Sequence, residues 1–274
     1  MAEEQKFDPA AFKQFEHDGW GEVAGTYHDT FGGLTRLTVE ALLDAAEVKE
    51  GTRLLDVACG TGNVTAAAHA RGAKAAGLDF VAAMVSEARG LHPEVEFTEG
   101  DAEAMPFDDG KFEAVVSNFG LRHFPHPERA LAEFFRVLAP GGRFAASDWI
   151  PPGVYGTIIM DALEAAGHAD APPASVPPPY NFADQAAFGG LLKAAGFSAP
   201  EMREVTLLTR YPSPMHLLDT IYKGSVNVRN RLEALGAEAR DSVNRAIVEI
   251  AGRHEKNGAI EIPAKALIAS ALKP

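Results

Sequence analysis

Residues 53–65 read RLLDVACGTGNVT. A short apolar run meets two glycines one residue apart, and a helix-compatible stretch follows. A run of this length bounded by a glycine turn predicts a buried strand, RLLDVAC (53–59), that turns straight into a helix. The unit constrains the fold because its pattern recurs. AKAAGLDF (73–80), VEFTEGDA (95–102), FEAVVSNFG (112–120) and RFAASDWI (143–150) read as further strands. NVTAAAHARG (63–72, stopped by Gly72) and VAAMVSEARG (81–90, ended by Gly90) read as helices. So does PERALAEFFRVLAPGG (127–142), with Pro127 at its start and Pro140-Gly141-Gly142 closing it. Strands alternating with helices join through right-handed crossovers into a parallel sheet covered on both faces. Ligands of such sheets bind beyond the carboxyl ends of the strands. The residues there are Gly60, Gly62, Asp79, Asp101, Asn118 and Asp148.

The flanks have a different character. Residues 1–50 are helical in pattern, with an apolar face of Leu34, Leu37, Leu42 and Leu43, and are expected to form a lid. Residues 151–184 contain APPASVPPPYNF, a proline-stiffened loop. Residues 185–211 complete the core with a helix (185–196) and a strand (Glu201–Thr209). Residues 212–258 are mostly helical, Val243, Ile247, Ile250 and Ala251 recurring at helical spacing, and are expected to cap the site. Residues 259–274 hold a final strand.

Charge narrows the partners. The 25 basic and 38 acidic residues leave a formal net charge of −13. No cluster of lysine or arginine could track a polyanion, so neither nucleic acid nor an anionic membrane is an expected partner. A small neutral or cationic substrate fits better. No apolar run approaches the ~20 residues needed to span a bilayer, and MAEEQKFDPA lacks an apolar signal region, so a cytoplasmic location is expected. The single cysteine excludes an internal disulfide and a cysteine-rich zinc site. No His/Asp/Glu spacing points to a metal.

A glycine turn opening a helix presents free N–H groups to an anion, and three ligand classes compete for it. A Walker loop needs lysine and Ser/Thr after its last glycine, but Asn63 and Val64 follow Gly62. A dinucleotide fingerprint needs a third glycine, which Asn63-Val64-Thr65 does not supply. What remains is an acid at the strand end followed by a small-residue turn.

LLDVACGTGNVT resembles the first motif of the class I S-adenosylmethionine-dependent methyltransferases. The similarity continues in order through GLDF, VAAM and SEAR (within 77–89), EGDAEAMPFDDGKFEAVVSN (99–118) and RALAEFFRVLAPGGRF (129–144), covering residues 50–150. Within that family the chain is most similar to the ubiquinone/menaquinone-biosynthesis type and its small-molecule relatives. The resemblance implies an α/β fold, Rossmann-like and doubly wound. Its mostly parallel seven-stranded sheet carries a helical cap from the N-terminus and from a late insertion. It also implies S-adenosylmethionine as cofactor.

The residue roles follow from the same resemblance. Gly60 and Gly62 let the backbone approach the methionine part, and Ala58 stands in the turn where many members have glycine. Asp56 orients the cofactor's amino group, or ties the turn together. Asp79 accepts from the ribose hydroxyls, Phe80 and Met84 flank the adenine, Asp101 accepts from the adenine amino group, and the Ala102 N–H reads the ring edge. Asn118 lies near the transferred methyl, and Tyr27, in WGEVAGTYHDTF, is a lid aromatic. Val81 and Glu113 replace a serine and an aspartate common in the family, and neither removes a ligand. SNFG after the fourth strand is not the signature of amino-directed nucleic-acid methyltransferases.

Cys59 reads as a small hydrophobe rather than a nucleophile. His123, or less readily His126, is a candidate general base, and Asp148 a candidate acceptor contact. Tyr180, His216 and Tyr222 either line the acceptor pocket or simply pack. The expected activity is in-line methyl transfer to a small-molecule O, C, N or S nucleophile. A cofactor-binding regulator without turnover, a protein methyltransferase and a nicotinamide oxidoreductase are the alternatives. The lid and the proline-rich loop are the parts expected to move.

Overall fold

The computed structural model describes residues 7–171 and 180–274. Most of APPASVPPPYNF, residues 172–179, lies outside the described residues, and the expectation for that loop with it. The predicted alternation is present as β1 (Arg53–Val57), α4 (Asn63–Ala70), β2 (Lys74–Asp79), α5 (Ala82–Leu91) and β3 (Glu96–Glu99). It continues through β4 (Phe112–Asn118), α6 (Pro127–Val137) and β5 (Leu138–Trp149). Before it stand α1 (Pro9–Tyr27), α2 (Phe31–Thr35) and α3 (Val39–Ala45). After it come α7 (Gly156–Ala165), α8 (Gln185–Ala194), β6 (Ser198–Tyr211), α9 (Pro214–Gly224), α10 (Val226–Glu233), α11 (Ala237–Gly252), β7 (Glu255–Lys256) and β8 (Ala259–Leu272).

The sheet runs β3-β2-β1-β4-β5-β8-β6, seven strands, with the two-residue β7 paired to β8 as an eighth. The first five strands are mutually parallel, while β8 is antiparallel to both β5 and β6. Strand order reverses at β1, between β2 and β4, so a crevice opens at their carboxyl ends. Leu54, Leu55, Val57, Val115 and Val116 are fully buried, the continuous apolar character of strands covered on both faces. Helix α6 covers one face with Ala130, Leu131, Phe134 and Val137. Each large side chain of this kind contributes about 1.5–3 kcal/mol by leaving water.

Five local expectations are corrected. Helix α6 stops at Val137; Pro140-Gly141-Gly142 belongs to an irregular start of β5, where the register against β4 shifts. Gly90 lies inside α5, which runs on to Leu91, because its φ is ordinary and open space surrounds it. Strand β3 ends at Glu99, so Asp101 sits in the following loop. Leu37 is exposed, because residues 36–38 form a 3-10 turn that rotates it off the face kept by Leu34, Leu42 and Leu43. The stretch read only as loop contains α7, which buries Ile158, Ile159, Ala162 and Leu163 in the same apolar cluster as Val243, Ile247 and Ile250 of α11.

Candidate functional site

The turn after β1 carries left-handed backbone at three positions, with φ of +56° at Ala58, +53° at Gly60 and +82° at Gly62. Glycine adopts this region freely, whereas Ala58 carries a Cβ there at a cost of about 1 kcal/mol. A Cβ on Gly62 would stand 2.7 Å from the Phe97 ring, so this glycine serves packing against β3 and does not line the cavity. Gly60 does line it, and its N–H donates to Asp79 Oδ2 at 2.8 Å. Cys59 is buried between them, and burial pushes its thiol well above the usual range, which fits a packing residue.

Asp56 lies beneath the turn. Its Oδ2 accepts from Thr65 N (3.1 Å) and Thr65 Oγ1 (2.7 Å), tying β1 to the first turn of α4. Its Oδ1 is buried with no partner among the described residues. Burial pushes the carboxyl up to about 7, against the lowering effect of the Thr65 bonds. Of its two expected roles, the turn tie is the one visible.

Asp79, at the end of β2, is 7% exposed. Oδ1 accepts from Val81 N at 3.0 Å and Oδ2 from Gly60 N, and no side chain donates to either oxygen among the described residues. Burial raises its pKa, and the Val81 and Gly60 bonds oppose the rise. A carboxylate fixed only by backbone N–H groups, facing a cavity, is matched by a ligand with hydroxyl donors.

That cavity has a volume of about 410 Å³. Gly60, Asp79, Phe80 and Met84 line it together with Phe119, Trp149, Tyr155 and Val228. A smaller cavity shares Ala58, Asp79, Phe80 and His123 with it and is completed by Asp101 and Ala102. Asp101 Oδ1 accepts from Glu103 N at 3.0 Å, and its Oδ2 is paired with Lys13 of α1. Asn118 lines the main cavity with its amide already engaged: Oδ1 accepts from Thr38 Oγ1 (2.8 Å) and Ser147 Oγ (2.6 Å), and Nδ2 donates to Thr35 O (3.0 Å). It thereby joins the lid to β4 and β5. Tyr27 closes the cavity from α1; its hydroxyl lies 3.4 Å from Thr35 Oγ1, and burial pushes it up to about 12.

His123 is on the wall of both cavities. Its Nδ1 meets Glu16 Oε2 at 2.9 Å, and Trp20 Nε1 donates to the same oxygen at 2.7 Å. Asp148 is buried outside the cavity wall and accepts from Arg122 Nε (2.6 Å) and Trp149 N (2.8 Å); the group facing the cavity is Arg122. His126, Tyr180, His216 and Tyr222 stand off the cavity. His126 pairs with Glu128, Tyr180 donates to Glu128, and Tyr222 donates to Asn244. Among the described residues no group of three or more His, Cys, Asp or Glu could hold a metal, and no helix is long and apolar enough to cross a membrane.

Glu16, Trp20, Phe119, Arg122, Trp149 and Tyr155 are site residues that sequence reasoning missed. Arg122 is adjacent to His123 in LRHF, a usable signal. Glu16 has none, because 107 residues separate it from His123. Phe119 has φ of +62°, rare for a bulky side chain, and its ring stacks on Trp149 at 4.0 Å.

Comparison with known proteins agrees with this geometry. A methyltransferase domain model matches residues 55–146. The demethylmenaquinone methyltransferase of Beutenbergia cavernae is 34% identical over 188 residues, covering 64% of this chain and 77% of that protein. The ubiquinone/menaquinone biosynthesis C-methyltransferase of a Ruegeria species is 30% identical over 226 residues, covering 70% and 89%. Matches to other demethylmenaquinone methyltransferases span 55%, 56% and 59% of those proteins. Among solved structures, the YcgJ protein of Bacillus subtilis superposes with a TM-score of 0.56 at 22% identity, covering 86% of this chain and 97% of that one, and shares the fold.

Proposed function

The chain belongs to the S-adenosylmethionine-dependent methyltransferases, in the group of the ubiquinone/menaquinone-biosynthesis enzymes, and from that premise we propose that its acceptor is a flat, hydroxylated aromatic ring of the quinol type. The observation that carries this reading is the shape of one continuous cavity. Its walls combine a backbone-held carboxylate, Asp79, with the stacked Phe119–Trp149 pair and Tyr155. The names of the relatives, demethylmenaquinone and ubiquinone/menaquinone methyltransferases, support the same acceptor class.

S-adenosylmethionine is the methyl donor, and when bound it supplies an electrophilic methyl on a sulfonium sulfur. Asp79 takes the ribose hydroxyls, Gly60 admits the backbone side of the ligand, and Phe80 and Met84 flank the adenine. Asp101 and the Ala102 N–H read the adenine edge once Lys13 yields Asp101. Ala58 and Gly62 shape the turn, and Asp56 holds it on Thr65. Tyr27 and Asn118 close the methyl-bearing end. His123 is the base that relieves the acceptor hydroxyl of its proton, and Asp148 holds Arg122 against the acceptor side. The remaining task of the walls is alignment and exclusion of water. We read residues 1–50 and 212–258 as lid and cap on the core, and the enzyme as cytoplasmic, acting on neither nucleic acid nor membrane.

Mass spectrometry of reactions with S-adenosylmethionine and a panel of hydroquinones, catechols, amines and thiols tests the acceptor. A single added methyl on a hydroquinone ring is expected. Product only from amines or thiols would overturn the assignment.

A further inference from the structure

A carboxylate that the expected mechanism does not use faces the site. Glu16 is 1% exposed, sits on α1 and lines the cavity. No lysine or arginine neutralises it among the described residues. Instead the Trp20 and His123 ring nitrogens converge on its Oε2, and the Trp20 and His123 rings meet edge-to-face at 5.2 Å. A carboxylate accepts, so Nδ1 of His123 is the donor. The lone pair of the neutral ring then lies on Nε2, since the Nδ1–Glu16 contact is the one hydrogen bond of the His123 ring among the described residues. Orientation of an imidazole by a carboxylate on its far nitrogen fixes both tautomer and direction.

The two partners belong to different parts of the molecule. His123 lies on the 3-10 turn after β4, in the core, and Glu16 on the lid helix. The same helix pairs Lys13 with Asp101 and Glu22 with Arg229 of α10. The docked position of α1 thus holds Glu16 against His123 and places Tyr27 on the cavity wall.

We infer that Glu16 is a positioning residue for His123, and that the catalytic base is complete only when the lid helix is docked. The inference rests on the reading of a hydroxylated acceptor. The proton passes from the acceptor oxygen to Nε2, and the O–H electron pair feeds the ring. A ring carbon forms its bond to the methyl as the S–CH3 bond breaks, the electron pair of that bond staying on sulfur and S-adenosylhomocysteine leaving. The hydrogen on that carbon returns to the oxygen as the ring regains aromaticity, and the Glu16 carboxylate faces the imidazolium. The proton leaves His123 to water after transfer.

Glu16→Gln keeps an oxygen acceptor for the ring N–H groups and removes the charge, so α1 stays docked. The expected result is an S-adenosylmethionine Kd within about twofold of wild type and a kcat about a hundredfold lower, the usual span of a general-base contribution. The defect should shrink as acceptors with more acidic hydroxyls are used, because an acceptor already ionised needs no base; a purely structural role would not show this. Proton NMR of the enzyme without acceptor gives a second readout. The His123 Nδ1 proton should lie far downfield in the wild type, as charge-assisted bonds do, and move upfield in the variant. A kcat within about threefold of wild type, a defect equal across the acceptor series, or an Nδ1 proton unmoved by the substitution would each overturn the inference. Absence of turnover by the wild type on every hydroxylated acceptor would instead overturn the acceptor reading, and the NMR comparison would still decide the role of Glu16.

Discussion

The two walls of the cavity are built by different means. The wall proposed for the cofactor comes from neighbouring strand ends, β1, β2 and β4, and its key polar group, Asp79, is held by main-chain N–H groups of neighbouring turns. The wall proposed for the acceptor is assembled from α1, the loop after β4, the end of β5, the segment before α7 and α10, and is held by side chains: Phe119 on Trp149, Glu16 on His123, Arg122 on Asp148. A wall held by backbone is fixed once the sheet forms. A wall held by side chains changes with each substitution, which is why one cofactor site can serve many acceptors.

The largest expected effect tests the buried foundation of the cofactor wall. In the fold Asp56 keeps its proton to about 7, while in the unfolded chain it ionises at its ordinary 3.8. Its folded-state pKa is raised, so its contribution to stability is fully present below pH ~4 and is lost as pH rises toward 7, by about 4 kcal/mol in all. Urea unfolding of wild type and Asp56→Asn at pH 4.5 and 7.5 should show the variant gaining on the wild type as pH rises; parallel curves would place the charge elsewhere. Next, Asp79→Ala should weaken S-adenosylmethionine binding by about a hundredfold or more, because two charge-assisted hydrogen bonds are lost. Calorimetry checks it, and acceptor KM measured at saturating cofactor should stay close to wild type. On the opposite wall, Trp149→Leu should raise acceptor KM by about two- to tenfold, the worth of an aromatic stack, with cofactor Kd unchanged. If both constants move together in either variant, the walls are not independent. Smallest is Ala58→Gly, which should add up to about 1 kcal/mol of stability by relieving the left-handed alanine, read as a higher urea midpoint.

The same division explains what could be read from sequence. The order β1-α4-β2-α5-β3-β4-α6-β5 was legible because each unit carries its own apolar run and its own stop signal, and Asp79, Gly60 and Asn118 fell at strand ends. Helix α7 was not, since its apolar face, Ile158, Ile159 and Leu163, has meaning only against α11. Glu16 carries no local signal in the sequence; the packing of α1 against the core buries it. Asn118 was legible as a site residue but not as a joint, because Thr35, Thr38 and Ser147 come from other elements. Trp149 and Phe119 meet through a left-handed backbone at Phe119 that no local pattern announces.

Strands β6 and β8 are antiparallel neighbours, and Tyr211 pairs with Ile260. The stretch holding α9, α10 and α11 thus leaves the sheet and returns to it at adjacent points, as a hairpin loop does. Such a stretch is a cassette. Its length is separate from the register of the β6–β8 ladder, and Val226 and Val228 on α10 bring part of the cavity lining with it. Grafting at this junction exchanges those two lining residues while leaving the strand ladder in place.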